Sequence, residues 1–105
     1  MKVAIPVFGA RVSPRFDCAV GFLLGEVVDG ELKRCEEVSA LSWAARDRVK
    51  KLVELGVDTL ICGGIDRVSA TQCSVQGVRV YSWITGDAVD ALESLLSGEL
   101  GSQQA

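Results

Sequence analysis

Histidine is absent from the 105 residues, so neither an imidazole-based catalytic dyad nor a histidine-bearing metal centre can form from this chain. The cysteines Cys18, Cys35, Cys62 and Cys73 form no CxxC pair, and no four ligands stand at structural-zinc spacing. Positive charge is not in excess either: 11 Lys and Arg against 14 Asp and Glu leave a net charge of -3. That balance supplies no bulk field for nucleic acid or an anionic membrane. The first apolar run is broken by Pro6 and Gly9, too early for a secretory core or a membrane span. A cytoplasmic protein with reduced thiols is the expectation. Tandem repeats and low-complexity blocks are also missing, and the length suits one compact domain.

What is present is an ordered series of short elements. Lys2 to Val7 reads as a strand, with Pro6 near its end because proline has no N–H for a ladder bond. Val20 to Val28 and Glu31 to Val38 flank Asp29-Gly30, a type I′ turn signal, and predict a hairpin. Val20, Phe22 and Leu24 point to one face, Leu23 and Val27 to the other. The returning strand, with Lys33, Arg34, Glu36 and Glu37, suits an edge, and its charges discourage sheet extension by a second copy. The oligomeric state stays open.

Ser42 stands as a cap before Ala45, Val49, Leu52 and Val53, which recur at helical spacing until Gly56; Asp47 and Lys51 form an outer i,i+4 pair. Thr59 to Cys62 predicts a buried strand. Asp66 caps a second helix through Gln76 with Val68 and Val75 on its buried stripe and Cys73 off it. Val78 to Trp83 gives the last strand. Asp87 with Asp90 caps a helix through Ser97, with Val89, Leu92, Leu95 and Leu96 facing inward. The implied fold class is a layered α/β domain over residues 1–97, with a mixed five-stranded sheet of order 3-2-1-4-5 and three helices; residues 98–105 form a flexible tail.

This order brings the loops after strands 1, 4 and 5 to one sheet edge, where open α/β sheets bind ligands. The first, Gly9 to Cys18, holds Gly9, Arg11, Ser13, Pro14, Arg15, Phe16 and Asp17; its two arginines can aim guanidinium donors at an anion. The second, Cys62-Gly63-Gly64-Ile65-Asp66-Arg67, leads two glycines into a helix N-terminus and adds Arg67. Gly63-Gly64 serves either a site or a plain chain turn. GxGxxG and GxxxxGK(S/T) fingerprints are missing, so a compact anion fits better than a nucleotide.

Cys18 and Cys62 are the candidate metal ligands, with surface or hairpin packing for Cys18 and core packing for Cys62 as the competing readings. Thiolates beside arginines suit an anionic metal-sulfur cluster better than a bare dication. Asp66 serves as a cap or faces Asp17, and Trp43 and Trp83 serve as interface anchors or packing. Catalysis is poorly provided for: Ser13, Ser69 and Ser74 have no histidine partner, and Glu26, Glu36 and Glu37 lie on hairpin strands away from the loop edge. A two-metal nuclease needs clustered carboxylates, and strand 1 has none.

The set MKVAIPV, RVSPRFD, the DG hairpin, ICGGI and GVRVYSWITGD resembles the dinitrogenase iron-molybdenum cofactor biosynthesis family over residues 1 to about 97. The resemblance implies a ribonuclease H-like fold and a non-enzymatic role: small members bind the iron-molybdenum cofactor or its iron-sulfur precursor, and a related orange protein holds a molybdenum-copper sulfide cluster. The matching positions are Arg11 to Asp17 and Gly63-Gly64. Some relatives rely on a histidine, which this chain lacks, leaving Arg11, Arg15, Arg67, loop amides and the Cys18 and Cys62 thiols. The expected function is a carrier or chaperone for an anionic iron-molybdenum or other metal-sulfur cluster, with metal-cofactor donor or acceptor proteins as partners. The competing expectation is an interaction or regulatory module of metal-cofactor or redox metabolism that carries no cluster.

Overall fold

A computed structural model describes residues 1–99. Its strands are β1 (Lys2–Phe8), β2 (Arg11–Val12), β3 (Gly21–Val28), β4 (Glu31–Ser39), β5 (Thr59–Ile61) and β6 (Arg79–Tyr81); its helices are α1 (Arg48–Glu54), α2 (Arg67–Val75) and α3 (Ala88–Leu96). The sheet runs β4-β3-β1-β5-β6, with β2 paired to β1 off that path. The expected five-stranded sheet of order 3-2-1-4-5 is thereby corrected to six strands, the second in chain order being the two-residue β2. Its sequence signal is weak because Val12 alone of the pair is buried, too little for a readable alternation. A two-residue turn with Gly9 at φ 63° returns the chain from β1 to β2.

Pairing is antiparallel from β4 through β3 to β1 and parallel from β1 through β5 to β6. Val3 faces Thr59 and Ala4 faces Leu60 across the central parallel pair. Pro6 lies beyond these register pairs, so its missing N–H removes no β1–β5 bond; its carbonyl accepts the Ser13 N–H at 2.7 Å. Asp29 and Gly30 both take positive φ, 54° and 78°, as the type I′ turn requires.

The sheet has a packed layer on each face. Val3, Ile5, Val7, Val27, Ile61 and Tyr81 meet Ala88, Ala91 and Leu92 of α3. On the opposite face Ala4, Phe22, Leu24 and Leu60 meet Val49 and Leu52 of α1 and Cys73 of α2. β1 is therefore covered on both sides, which is why Val3, Ala4, Ile5 and Val7 do not alternate with polar residues. Each fully buried large side chain contributes roughly 1.5–3 kcal/mol of transfer free energy.

The helices correct several expectations. Ala45–Asp47 forms a 3-10 turn before α1, and no side-chain bond caps α1; Ser42 is not its cap. Asp47 and Lys51 make no ion pair among the described residues. On α2, Val68 and Val75 are exposed, whereas Ser69 and Cys73 are buried. The two valines are seven positions apart and share a face, but the sheet lies under the face that holds the smaller residues, one helical turn apart. Val89 of α3 is exposed too, and Ala88 and Ala91 take the inner positions. Asp87 caps α3 as expected, accepting from the Val89 and Asp90 N–H groups at 2.9 and 3.1 Å.

Cys73→Ser places a hydroxyl in this apolar layer and should cost about 1–3 kcal/mol, while Val75→Ser should change stability by less than about 0.5 kcal/mol. Urea denaturation of the two variants checks the assignment, and equal losses would contradict it.

Candidate functional site

The parallel β1–β5 and β5–β6 pairs bring three chain segments together at their carboxyl ends. The first and second are joined by backbone bonds: the Gly64 N–H donates to the Pro14 carbonyl at 2.8 Å, and the Phe16 N–H donates to the Gly64 carbonyl at 2.9 Å. Arg15 and Gly64 thus form a parallel bridge. The third segment adds Trp83 N–H to Gly63 O at 3.0 Å and Ile84 N–H to Cys62 O at 2.9 Å. Val12 N–H reaches Gly86 O at 2.8 Å and Ala88 N–H reaches Ala10 O at 2.9 Å, tying β2 to the start of α3.

This seam explains Gly63-Gly64 by space. A Cβ on Gly63 would lie 2.7 Å from the Ser13 carbonyl oxygen and 3.0 Å from that of Pro14; one on Gly64 would lie 3.1 Å from the Pro14 oxygen and 3.5 Å from the Trp83 ring. The obstacles are mostly backbone, so any side chain at Gly63 must push the two loops apart.

A cleft of about 300 Å³ opens beside the seam, lined by Pro14, Arg15, Asp17, Gly64, Ile65, Asp66 and Trp83. A second cavity of about 390 Å³ lies across Trp83, with Ile84, Asp87, Asp90 and Ser94 among its lining residues. Trp83 stands between them, 73% exposed and at φ 65°. A left-handed backbone costs a bulky residue roughly 1–2 kcal/mol, and such strained positions concentrate at functional sites.

Arg15 lines the cleft and holds Asp17 in a two-pronged contact, Nε to Oδ1 at 3.1 Å and Nη2 to Oδ2 at 2.8 Å. The bound carboxylate raises the Arg15 pKa still further, with lesser contributions from Cys18 and Asp66. Burial alone would push the Asp66 carboxyl up, but the Ser69 backbone N–H and hydroxyl, with Arg15 nearby, hold it below its ordinary value. The cleft therefore pairs one guanidinium with two carboxylates, so its expected electropositive character is offset by its own acidic residues. The Gly64 and Phe16 amides are spent on the seam, and Asp66 occupies the Ser69 amide of α2 at 3.0 Å.

The other sequence-selected residues divide clearly. Ser13 is buried, its hydroxyl donating to the Arg15 carbonyl at 2.9 Å; it shapes the loop. Phe16 is fully buried and packs edge-on against Phe22 at 5.6 Å, as part of the core. Cys62 is likewise fully buried in the α1 and α2 layer, in line with the core-packing side of its two readings. Burial pushes its thiol up to about 12, with Cys73 adding to the effect, and burial also pushes Cys73 up to about 11. Cys18 is exposed. Gly9 sits at the β1–β2 turn, while Arg11 and Arg67 are exposed and outside the cleft lining. Among the described residues, no three His, Cys, Asp or Glu side chains are placed to hold a metal ion.

Sequence reasoning missed Arg48. It is 6% exposed, and its guanidinium donates to the carbonyls of Ala19 at 2.7 Å, Ala40 at 3.2 Å and Phe16 at 3.4 Å. It also lies over the Phe22 ring, 5.9 Å from the centroid. One cation thus fastens the far end of the Arg15 loop to the chain entering α1. No local signal marks it, because the three carbonyls come from distant positions.

These features define a small mixed α/β protein whose loops build a cleft at the carboxyl edge of its parallel strands. Residues 1–98 match the family described as dinitrogenase iron-molybdenum cofactor, and the chain belongs to that family. It is similar to the uncharacterized protein MJ0580 of Methanocaldococcus jannaschii, 24% identical over 105 aligned positions, with 95% of this chain and 89% of that protein covered. The crystal structure of PH0822 superposes with a TM-score of 0.89 at 22% identity, covering 94% of this chain and 91% of the other. The apo form of the orange protein from Desulfovibrio gigas gives 0.76 at 23% identity, covering 93% and 88%. Both structures share the fold. No helix of the described residues is long and apolar enough to cross a membrane.

Three outcomes test this site. Cys18 and Cys35 should react with a thiol reagent in the native protein, and Cys62 and Cys73 only after unfolding. Because the folded state raises the Cys62 and Cys73 values above the ordinary 9.0, their contribution to stability is full below about pH 9 and is lost as pH rises toward 11 and 12. Urea midpoints should fall across that window and fall less in Cys62→Ala. Separately, Arg48→Lys should lose about 2–4 kcal/mol, since one ammonium cannot span three carbonyls that the guanidinium fork reaches; equal stability would show that the clamp is dispensable.

Proposed function

We propose that this protein is a small non-enzymatic carrier or chaperone of an anionic iron-molybdenum or related metal-sulfur cluster, handed between metal-cofactor donor and acceptor proteins in the cytoplasm. The reading includes the ribonuclease H-like layering that the sequence resemblance implies, and it involves no nucleic-acid or membrane partner. The observation that carries it is Arg15: an exposed guanidinium at the cleft, on a loop locked to Gly64, already gripping an oxyanion of its own chain. An exposed pair of this kind is weak in water and opens easily, so the Asp17 carboxylate occupies the place an anionic cargo would take.

The donor set decides how the cargo is held. With Cys62 in the core and no group of three ligands among the described residues, chelation by several protein thiolates is not supported. Charge pairing through Arg15 fits, with Cys18, exposed and close along the chain to Arg15, as a single replaceable ligand. Arg11 and Arg67 add longer-range attraction from the same sheet edge, which salt would screen. Weak, exchangeable attachment suits delivery better than permanent storage.

Trp83 favours a second reading, a protein-interaction or regulatory module in metal-cofactor or redox metabolism that carries no cluster. A bare aromatic ring held between two cavities is a natural partner anchor. A stable complex isolated anaerobically without metal would favour this alternative.

Anaerobic reconstitution with iron, molybdenum and copper sulfide species should give a defined metal-to-protein ratio. Arg15→Ala should lower retention by about tenfold or more, as expected for a lost charge-assisted contact, whereas Asp17→Asn should raise it by releasing the guanidinium. Retention unchanged in both variants, or no metal retained from any of the three, would refute the carrier reading.

A further inference from the structure

The β4 edge carries information that its exposure alone does not convey. β4 spans nine residues, Glu31–Ser39, and is exposed along almost its whole length; among the described residues no strand lies on its outer side. A long open edge is a template for pairing with another chain. Charge normally blunts such an edge, yet here the order of charges matters: Lys33 and Arg34 precede Cys35, and Glu36 and Glu37 follow it.

We propose that β4 pairs antiparallel with β4 of a second copy of this chain, about a two-fold axis at Cys35. In that register position i of one copy faces position 70 − i of the other by construction, so Arg34 faces the partner's Glu36 and Lys33 faces the partner's Glu37, each twice. Directly opposed unlike charges stabilise a cross-strand pair, and like charges oppose it. Shifting the register by two residues, or running the strands parallel, brings like charges together, so the same residues that discourage indiscriminate pairing select this one arrangement. A two-fold, self-complementary patch is the form of interface that closes as a dimer.

The local structure is compatible. From Arg34 to Ser39, β4 keeps one register with β3, Arg34 opposite Glu26 and Ser39 opposite Gly21, so the central ladder is regular. The irregularity falls where Leu32 faces Val27 and Arg34 faces Glu26, leaving Lys33 as the extra residue. Its ammonium is exposed and held by Glu31 at 3.0 Å, an exposed pair that can be exchanged for the partner's Glu37. Cys35 faces Gly25 of β3, which offers no cross-strand side chain to compete for its position. Two strands of each copy, β3 and β4, separate the axis from β1; pairing therefore extends the sheet and leaves the loop edge open. The inference is independent of the cluster reading.

Sedimentation of the full chain across micromolar to millimolar concentration tests it. The wild type should show a monomer–dimer equilibrium; Lys33→Glu with Arg34→Glu, and separately Glu36→Arg with Glu37→Lys, should each weaken it by tenfold or more. An equimolar mixture of the two variants should recover a heterodimer, since every opposed pair in it is again of unlike charge. This recovery also shows that both variants fold. In a Cys18→Ser background, diamide should take two hydrogens from two Cys35 thiols and link copies through a disulfide. A wild type that stays monomeric, a dimer that survives either reversal, or a mixture that fails to associate would overturn the proposal.

Discussion

Two backbone hydrogen bonds, from Gly64 to Pro14 and from Phe16 to Gly64, hold together segments some fifty positions apart. The rest of the site follows from them. They require that β1 and β5 run parallel and adjacent, that no side chain intrude at Gly63, and that Phe16 turn inward to the core while Arg15 turns out to solvent. The alternation is that of a strand although the segment belongs to none of the named strands: one residue anchors, its neighbour is presented. An arginine presented this way starts from a fixed backbone, so less conformational freedom is lost when it grips an anion.

The burial of Phe16 and the clamp of Arg48 complete this arrangement from the other side. Among the described residues Arg48 pairs with no acid; its charge is spent on three main-chain oxygens that a loop crossing the top of a core layer would otherwise leave poorly satisfied. The cleft thus rests on a rigid floor while its own polar residues stay wet, a division that suits reversible attachment of a charged cargo.

Much of the fold was readable because the underlying signals were local or strongly periodic. Asp29-Gly30, the Asp66 and Asp87 caps and the runs of β1 and β3 each contain their own instructions. The RVSPRFD and CGG segments meet through the β1–β5 pair, which could be inferred from element order. Less accessible was anything decided by which face the sheet happens to cover. Val68 and Val75 looked like a buried stripe because valine is apolar, yet Ser69 and Cys73 are smaller and allow α2 to approach closely. Cys62 and Phe16 looked like site residues because of their sequence neighbours, whereas strand alternation turns them inward. Arg48 could not be found at all, since its partners are carbonyls, which every residue possesses. The two-residue β2 left no pattern, and residues 100–105 of the expected tail lie outside the described residues.

The two tryptophans have unlike surroundings, and this gives the molecule a built-in optical asymmetry. Trp43 stacks on Phe22 with ring centres 5.6 Å apart, so its emission follows the state of the α1 layer. Trp83 stands in water at the cleft wall, so its emission should be red-shifted and open to quenching by whatever settles beside it. Light collected from one chain therefore carries two separable channels, one for folding and one for occupancy.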